Sequence, residues 1–224
     1  MTRSTRYVYQ SHIENIFNVI TDKDATYDVY LHTWRSNNNM VWETNFQIPN
    51  DYTEHLFLHP KDYQLDDQDE YLNSIDFHDY YYPNTPEWRP ELIRNYLCAL
   101  ESQKRCFKMC EKSSIKYDYV IFVRPDALIQ TKLPYDYIYS SSSSNTPIFI
   151  PNDNWYEGYN DRFAITQFDM AQHYAYRINE MKYYRQNINY IIAERFCKWI
   201  VDKYYSITPI EFKFELIRPK NSPA

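Results

Sequence analysis

Arg124 and Asp126 close a run of aromatic and β-branched residues, Tyr117-Asp118-Tyr119-Val120-Ile121-Phe122-Val123. A guanidinium and a carboxylate two residues apart can hold a charged or polar ligand. A strand apolar on both faces belongs inside a sheet covered on each side, and such sheets bind ligands at the carboxyl ends of their strands. Pro125 fixes its own φ, has no N–H to donate and keeps Arg124 extended, so both charged side chains are aimed. A second polar constellation surrounds the only glycine, in Trp155-Tyr156-Glu157-Gly158-Tyr159-Asn160-Asp161-Arg162-Phe163-Ala164-Ile165. A sole glycine placed there implies a turn with positive φ or a close approach to a ligand, and it sets Asn160 and Asp161 on a constrained loop. His32, Thr33 and Trp34 end another strand-like run that starts at Tyr27. Each group also has a plainer reading: a surface turn, a turn cap, or a satisfied structural histidine.

The composition removes several classes of chemistry. One Gly in 224 residues leaves no room for a Walker loop or a dinucleotide fingerprint. Any diphosphate must be held by side chains or a metal. A net charge of −6 argues against a dedicated nucleic-acid binder, whose phosphate contacts need a basic face. The 25 tyrosines suit sugar faces and hydroxyls, although A/T-rich coding would also enrich them. Cys98, Cys106, Cys110 and Cys197 form no C-x-x-C pair, and no nearby residue completes a zinc site at Cys106 and Cys110, so they read as core thiols in a reducing compartment. No run reaches the roughly 18 apolar residues of a membrane span and no signal-peptide core opens the chain, which reads as cytoplasmic.

The elements that must position these residues follow from periodicity. Ser11-His12-Ile13-Glu14 has the form of a capping box and predicts a first helix at 11–21, followed by the strand 27–34. Residues 35–85 read as loop and short elements, with one strand candidate at Leu56-Phe57-Leu58. A helix is expected from Thr85-Pro86-Glu87 to about Ser113, feeding the strand 117–124. Ser140–Ser144 reads as a surface loop, Ile148–Ile150 as a short strand, 168–184 and 189–204 as helices, the second capped by Asn189. Glu211–Leu216 alternates strictly and predicts a strand with one wet face. No Pro/Gly linker divides the chain, so residues 1–224 are expected to form one domain.

Taken in order, strand–His-Thr-Trp, helix, strand–Arg-Pro-Asp, then Gly-x-Asn-Asp-x-Phe-Ala resembles small GT-A-type glycosyltransferases of large DNA viruses and bacterial polysaccharide loci. The resemblance is carried by Tyr27–Trp34, Ile115–Asp126 and Gly158–Ile165, with the Glu194 region and the Phe212–Arg218 strand in consistent order. It implies a Rossmann-like α/β domain with a mainly parallel central sheet flanked by helices. It also implies a nucleotide-diphosphate-sugar donor, a glycan or glycoprotein acceptor, and a host-cytoplasmic location if the source is viral. Asp126 would hold Mn²⁺ or Mg²⁺ with the diphosphate, while His32, Thr33, Trp34, Arg105 and Arg124 would contact the donor. The Asn-Asp turn would face the acceptor, with Asp161 as general base, Glu157 and Glu194 as substitutes, and Trp155, Tyr156, Gly158 and Asn160 as acceptor contacts. Two departures accompany the likeness. The first, nucleotide-binding strand of such domains is expected to be missing or shortened, because the chain opens at Met1-Thr2-Arg3-Ser4-Thr5-Arg6. Arg124 stands where the motif's first acidic residue would be, leaving Asp126 as a lone carboxylate for a cation that wants several oxygens.

Glycosyl transfer needs charge stabilised on the departing diphosphate and, in an inverting reaction, a carboxylate to take the acceptor's proton; the sequence leaves inverting and retaining courses both open. Arg124, Lys104 and Arg105 are cationic alternatives to a metal. The competing reading is a non-catalytic carbohydrate-binding or scaffold protein of the same fold. A metal-dependent phosphohydrolase fits less well, since no second Asp- or His-rich cluster completes a two-metal site.

Overall fold

The computed structural model describes residues 5–36, 40–41, 46–47, 51–83, 88–141 and 146–217. The first helix runs as α1 (Thr5–His12), a π turn (Ile13–Phe17) and α2 (Asn18–Thr21). It starts six residues before the proposed capping box. Ser11 lies inside it, donating its hydroxyl to the Val8 carbonyl at 2.6 Å and accepting from the Ile129 N–H at 2.9 Å. The serine therefore joins helix to strand and does not begin the helix.

The chain continues through β1 (Tyr30–Arg35), β2 (Met40–Val41), β3 (Phe46–Gln47), a 3₁₀ turn (Glu54–Leu58), β4 (Asp62–Asp67), α3 (Gln68–Asn73) and a second 3₁₀ turn (Phe77–Asp79). The strand candidate 56–58 is the first 3₁₀ turn. Leu56 and Phe57 are exposed there, and the left-handed His59 (φ 47°) ends it. Then come α4 (Pro90–Lys112), β5 (Tyr119–Val123), β6 (Ala127–Ile129), α5 (Tyr135–Ser140), β7 (Pro147–Pro151), β8 (Phe163–Gln167) and α6 (Phe168–Ala175). Last are α7 (Ile178–Asn187), α8 (Ala193–Tyr204), β9 (Ser206–Ile210) and β10 (Phe214–Leu216). Thr85–Glu87, the expected start of α4, and Ser142–Ser144 lie outside the described residues. Asn189 does not cap α8, whose N-cap is Ile192; its N–H closes α7 on the Tyr184 carbonyl at 3.0 Å.

The fold is α/β with mixed sheets. The largest has the order β5-β8-β7-β9, with β5–β8 and β8–β7 antiparallel and β7–β9 parallel, so the expected mainly parallel sheet is corrected. β1 and β4 form a separate parallel pair, and β6 and β10 an antiparallel one. Among the described residues β5 is an end strand, half-buried where full burial was expected. Both its faces are nonetheless packed. Tyr119, Ile121 and Val123 lie against the cluster of Phe149, Phe163, Phe212 and Ile16, while Val120 and Phe122 meet Phe107 of α4 and Ala171 of α6. The alternation in the tail appears as buried Phe212 and Phe214 between exposed Glu211, Lys213 and Glu215. Helix α4 packs along β1, where Ser102 donates to the His32 carbonyl at 3.1 Å and the Cys106 thiol to the Tyr30 carbonyl at 3.1 Å. All four cysteines are free, and burial raises Cys98, Cys106 and Cys197 to about 12 and Cys110 to about 11, as core thiols require. No described helix is long and apolar enough to cross a membrane.

Burial lowers the imidazoles of His12, His32 and His55 below their ordinary value of 6.5. The folded state thus prefers the neutral ring, so this part of the stability is complete above pH 6.5 and lost as pH falls through the lowered values. Buried Glu54 and Glu194 carry raised values and act in the opposite direction on acidification. We therefore expect the melting-temperature advantage of wild type over His32→Gln to be largest above pH 7 and to narrow toward pH 5. Parallel thermal melts check this, and an advantage independent of pH would show that His32 is not held neutral.

Candidate functional site

The register of one strand pair assembles the site. Val123 of β5 pairs with Phe163 of β8, so the residues just after β5 and just before β8 lie side by side. The first set is Arg124-Pro125-Asp126 and the second is Asn160-Asp161-Arg162. A turn closes after β5 through the Ala127 N–H on the Arg124 carbonyl at 3.1 Å, and Ile217, just after β10, fixes Asp126 through its N–H on the Asp126 carbonyl at 2.9 Å. Asp126 is buried, at the carboxyl edge where the sequence put it.

Arg124 grips Asp126 with both arms of its fork, Nε to Oδ1 at 2.9 Å and Nη2 to Oδ2 at 2.6 Å. Burial opposes the charge on Arg124, and Asp126, with a smaller part from Asp161, more than restores it. Asp161 is approached by Arg162, Nε to Oδ1 at 3.8 Å, and Arg162 also reaches Glu194 at 3.5 Å. Burial, and next the charge of Asp161, raise the Glu194 carboxyl above its ordinary range.

The loop that carries Asp161 is fastened from below. Asn160 is buried, donating Nδ2 to Asp153 at 3.2–3.3 Å and accepting the Arg162 N–H at 3.0 Å, so its amide serves the turn. The Asp161 carbonyl accepts from the Tyr174 hydroxyl at 3.3 Å and from Arg177 at 3.5 Å. Arg177 is 2 % exposed, stacks on Tyr174 at 3.9 Å, and leaves its Nε without a partner among the described residues. Gly158 does not use positive φ; the left-handed residues of this loop are Asn154 (φ 52°) and Tyr156 (φ 45°). Close approach explains the glycine, and the neighbour is the backbone of Glu194, 1.9 Å from where a Cβ would stand. Tyr159 N–H donates to that same Glu194 carbonyl at 3.0 Å. Trp155 bonds to the Pro151 carbonyl at 2.6 Å and meets Tyr159 edge-on, whereas Tyr156 projects outward, 76 % exposed. Glu157 is exposed and paired with Arg195.

The other residues expected on the donor side close on a different set of partners. His32 is locked in β1 between Ser102 Oγ at 2.8 Å and Asp66 Oδ2 at 3.0 Å, with its side chain inaccessible. Trp34 stacks on Tyr71 and bonds to the Cys98 carbonyl at 3.0 Å, and Thr33 is buried beside it. Arg105 pairs with Asp66 and with Glu101 at 2.9 Å while lying over Trp34. Lys104 is engaged by Asn179 and Glu101. This cluster ties β1, β4 and α4 together. Sequence reasoning gave Arg162 no role beyond a possible pairing with Asp161, and it missed Arg177, which falls inside what reads as one helix, 168–184.

The divalent ion that the resemblance implies would need a set of oxygen donors. Among the described residues no three metal-binding side chains converge, and both oxygens of Asp126 are engaged by Arg124. The residues do not fit a resident ion. No family model, curated protein or solved structure matches the chain.

Proposed function

We propose that the chain is a nucleotide-sugar-dependent glycosyltransferase of GT-A-like architecture, moving a sugar from a nucleotide-diphosphate-sugar to a glycan or glycoprotein. One observation carries the reading: the β5–β8 register sets a cation, Arg124, beside a carboxylate, Asp161, on an independently fastened turn. These are the two charges that an inverting glycosyl transfer uses. Arg124 stabilises the negative diphosphate as it departs. Asp161 takes the proton of the acceptor hydroxyl as its oxygen bonds to the anomeric carbon. Tyr156, outward and left-handed, is the acceptor-facing ring, and Trp155 packs edge-on against Tyr159 in the same loop. The Mn²⁺ or Mg²⁺ that the resemblance implies finds no ligand set among the described residues, so no step of this proposal passes through it.

The second reading, a carbohydrate-binding protein without turnover, is favoured by the exposed Tyr156 ring, which can cover a sugar face without taking part in any chemistry. Release of nucleoside diphosphate from a panel of UDP- and GDP-sugars, with and without a mixed glycan acceptor, tests the proposal. Acceptor-stimulated release is expected. A glycan-dependent rise in melting temperature without release from any donor would decide for the second reading.

A further inference from the structure

We infer that the anionic group of the donor is anchored by Arg124, handed over from Asp126, with no divalent ion. This rests on the glycosyltransferase reading but concerns only how the diphosphate is held. A guanidinium that forks onto a carboxylate presents the donor geometry that phosphate oxygens accept, so Asp126 occupies the place a phosphate would take. The accessibility of the pair favours the exchange. The Arg124 side chain is 34 % exposed and that of Asp126 11 %, so an incoming anion meets the cation first.

The neighbours reinforce it. Arg162 is held loosely, at 3.8 Å from Asp161 and 3.5 Å from Glu194, and can turn a second fork toward an anion. Arg177 buries a third positive charge under the Asp161 carbonyl, and its Nε has no described partner. Against these stand Asp126, Asp161 and Glu194, the last pushed toward its neutral form by burial and by Asp161. Two of these guanidiniums, Arg124 and Arg162, are partly accessible to an added anion. A cation entering at Asp126 would instead meet a carboxylate already neutralised on both oxygens.

Titration calorimetry of UDP, GDP and inorganic pyrophosphate in EDTA and in Mn²⁺ tests this on wild type, Arg124→Gln, Arg124→Lys and Asp126→Asn. The expected result is binding in EDTA, weakened about tenfold or more in Arg124→Gln and less in Arg124→Lys. Asp126→Asn should bind several-fold more tightly, because it loses the competing carboxylate. A metal-anchored site requires the reverse: binding only with Mn²⁺, abolished by Asp126→Asn. That outcome overturns the inference and leaves the glycosyltransferase reading standing. Ion-free binding of pyrophosphate but of neither nucleotide would uphold the anchor and remove the nucleotide-sugar reading. Binding of none of the three under any condition would overturn the anchor itself. If Asp126→Asn proves unfolded by its melting curve, the ranking of wild type, Lys and Gln at position 124 in EDTA decides.

Discussion

Asp161→Asn should retain nucleotide binding and lose transfer by about 10² or more, because the amide keeps the size of the carboxylate and cannot take a proton. The structure separates this from a folding defect. The loop is held through the backbone carbonyl of Asp161, by Tyr174 and Arg177, and through the amide of Asn160, none of which the substitution alters. The ion-pair contact described for its carboxylate is Arg162 at 3.8 Å, too long for a hydrogen bond. A melting temperature close to wild type is therefore expected alongside the loss of rate. Transfer at the wild-type rate would move the base to Glu194, the other carboxyl in reach of Arg162. A rate loss that only mirrors a lower melting temperature would make Asp161 a structural residue.

Gly158→Ala should do the opposite and strike stability and site together. The added carbon would stand 1.9 Å from the Glu194 carbonyl oxygen, 2.1 Å from its carbon and 2.5 Å from the Arg195 nitrogen. These are backbone atoms at the start of α8, so no rotamer change relieves the overlap. Either the loop lifts, breaking the Tyr159 bond to Glu194, or the helix end shifts and carries the Glu194 carboxyl with it. Overpacking of this kind costs about 1–3 kcal/mol or more, which at this chain length lowers the melting temperature by at least several degrees. Transfer per folded molecule should also fall, since Asp161 lies three residues on. A variant with unchanged melting temperature would mean that the loop does not rest on α8.

The parts of this architecture that were legible in the sequence are those whose burial repeats locally. Pro147–Pro151, buried throughout, and the alternating Phe212 and Phe214 declare themselves by period. So does the long helix α4. Strand β4, Asp62-Tyr63-Gln64-Leu65-Asp66-Asp67, has no such signal and exists because β1 supplies its partner. Leu56-Phe57-Leu58 has the signal without the partner, and the chain turns there. Strand direction is invisible to local pattern: β8 reads as well parallel as antiparallel until its loop folds back beside β7. The same limit governed the site. Arg124 and Asp126 were found because they end a strand, and Asp161 because it follows the sole glycine, but their adjacency is a property of register. Arg177 gave no signal, for a buried arginine inside a helical pattern looks like any solvated one. His32 and Arg105 have chemistry-bearing side chains and a packing role, which only their partners reveal.

The contact of α4 with β1 bears on how this molecule behaves in a crowd. A strand with bare carbonyls is a template, onto which another chain's extended segment can hydrogen-bond and begin a growing aggregate. Here Ser102 and Cys106 answer the carbonyls of His32 and Tyr30, two residues apart along the strand and one helical turn apart along the helix. The match between a four-residue step and a two-residue step lets a single helix act as a stopper for that margin, giving colloidal protection through side chains that also fill the core.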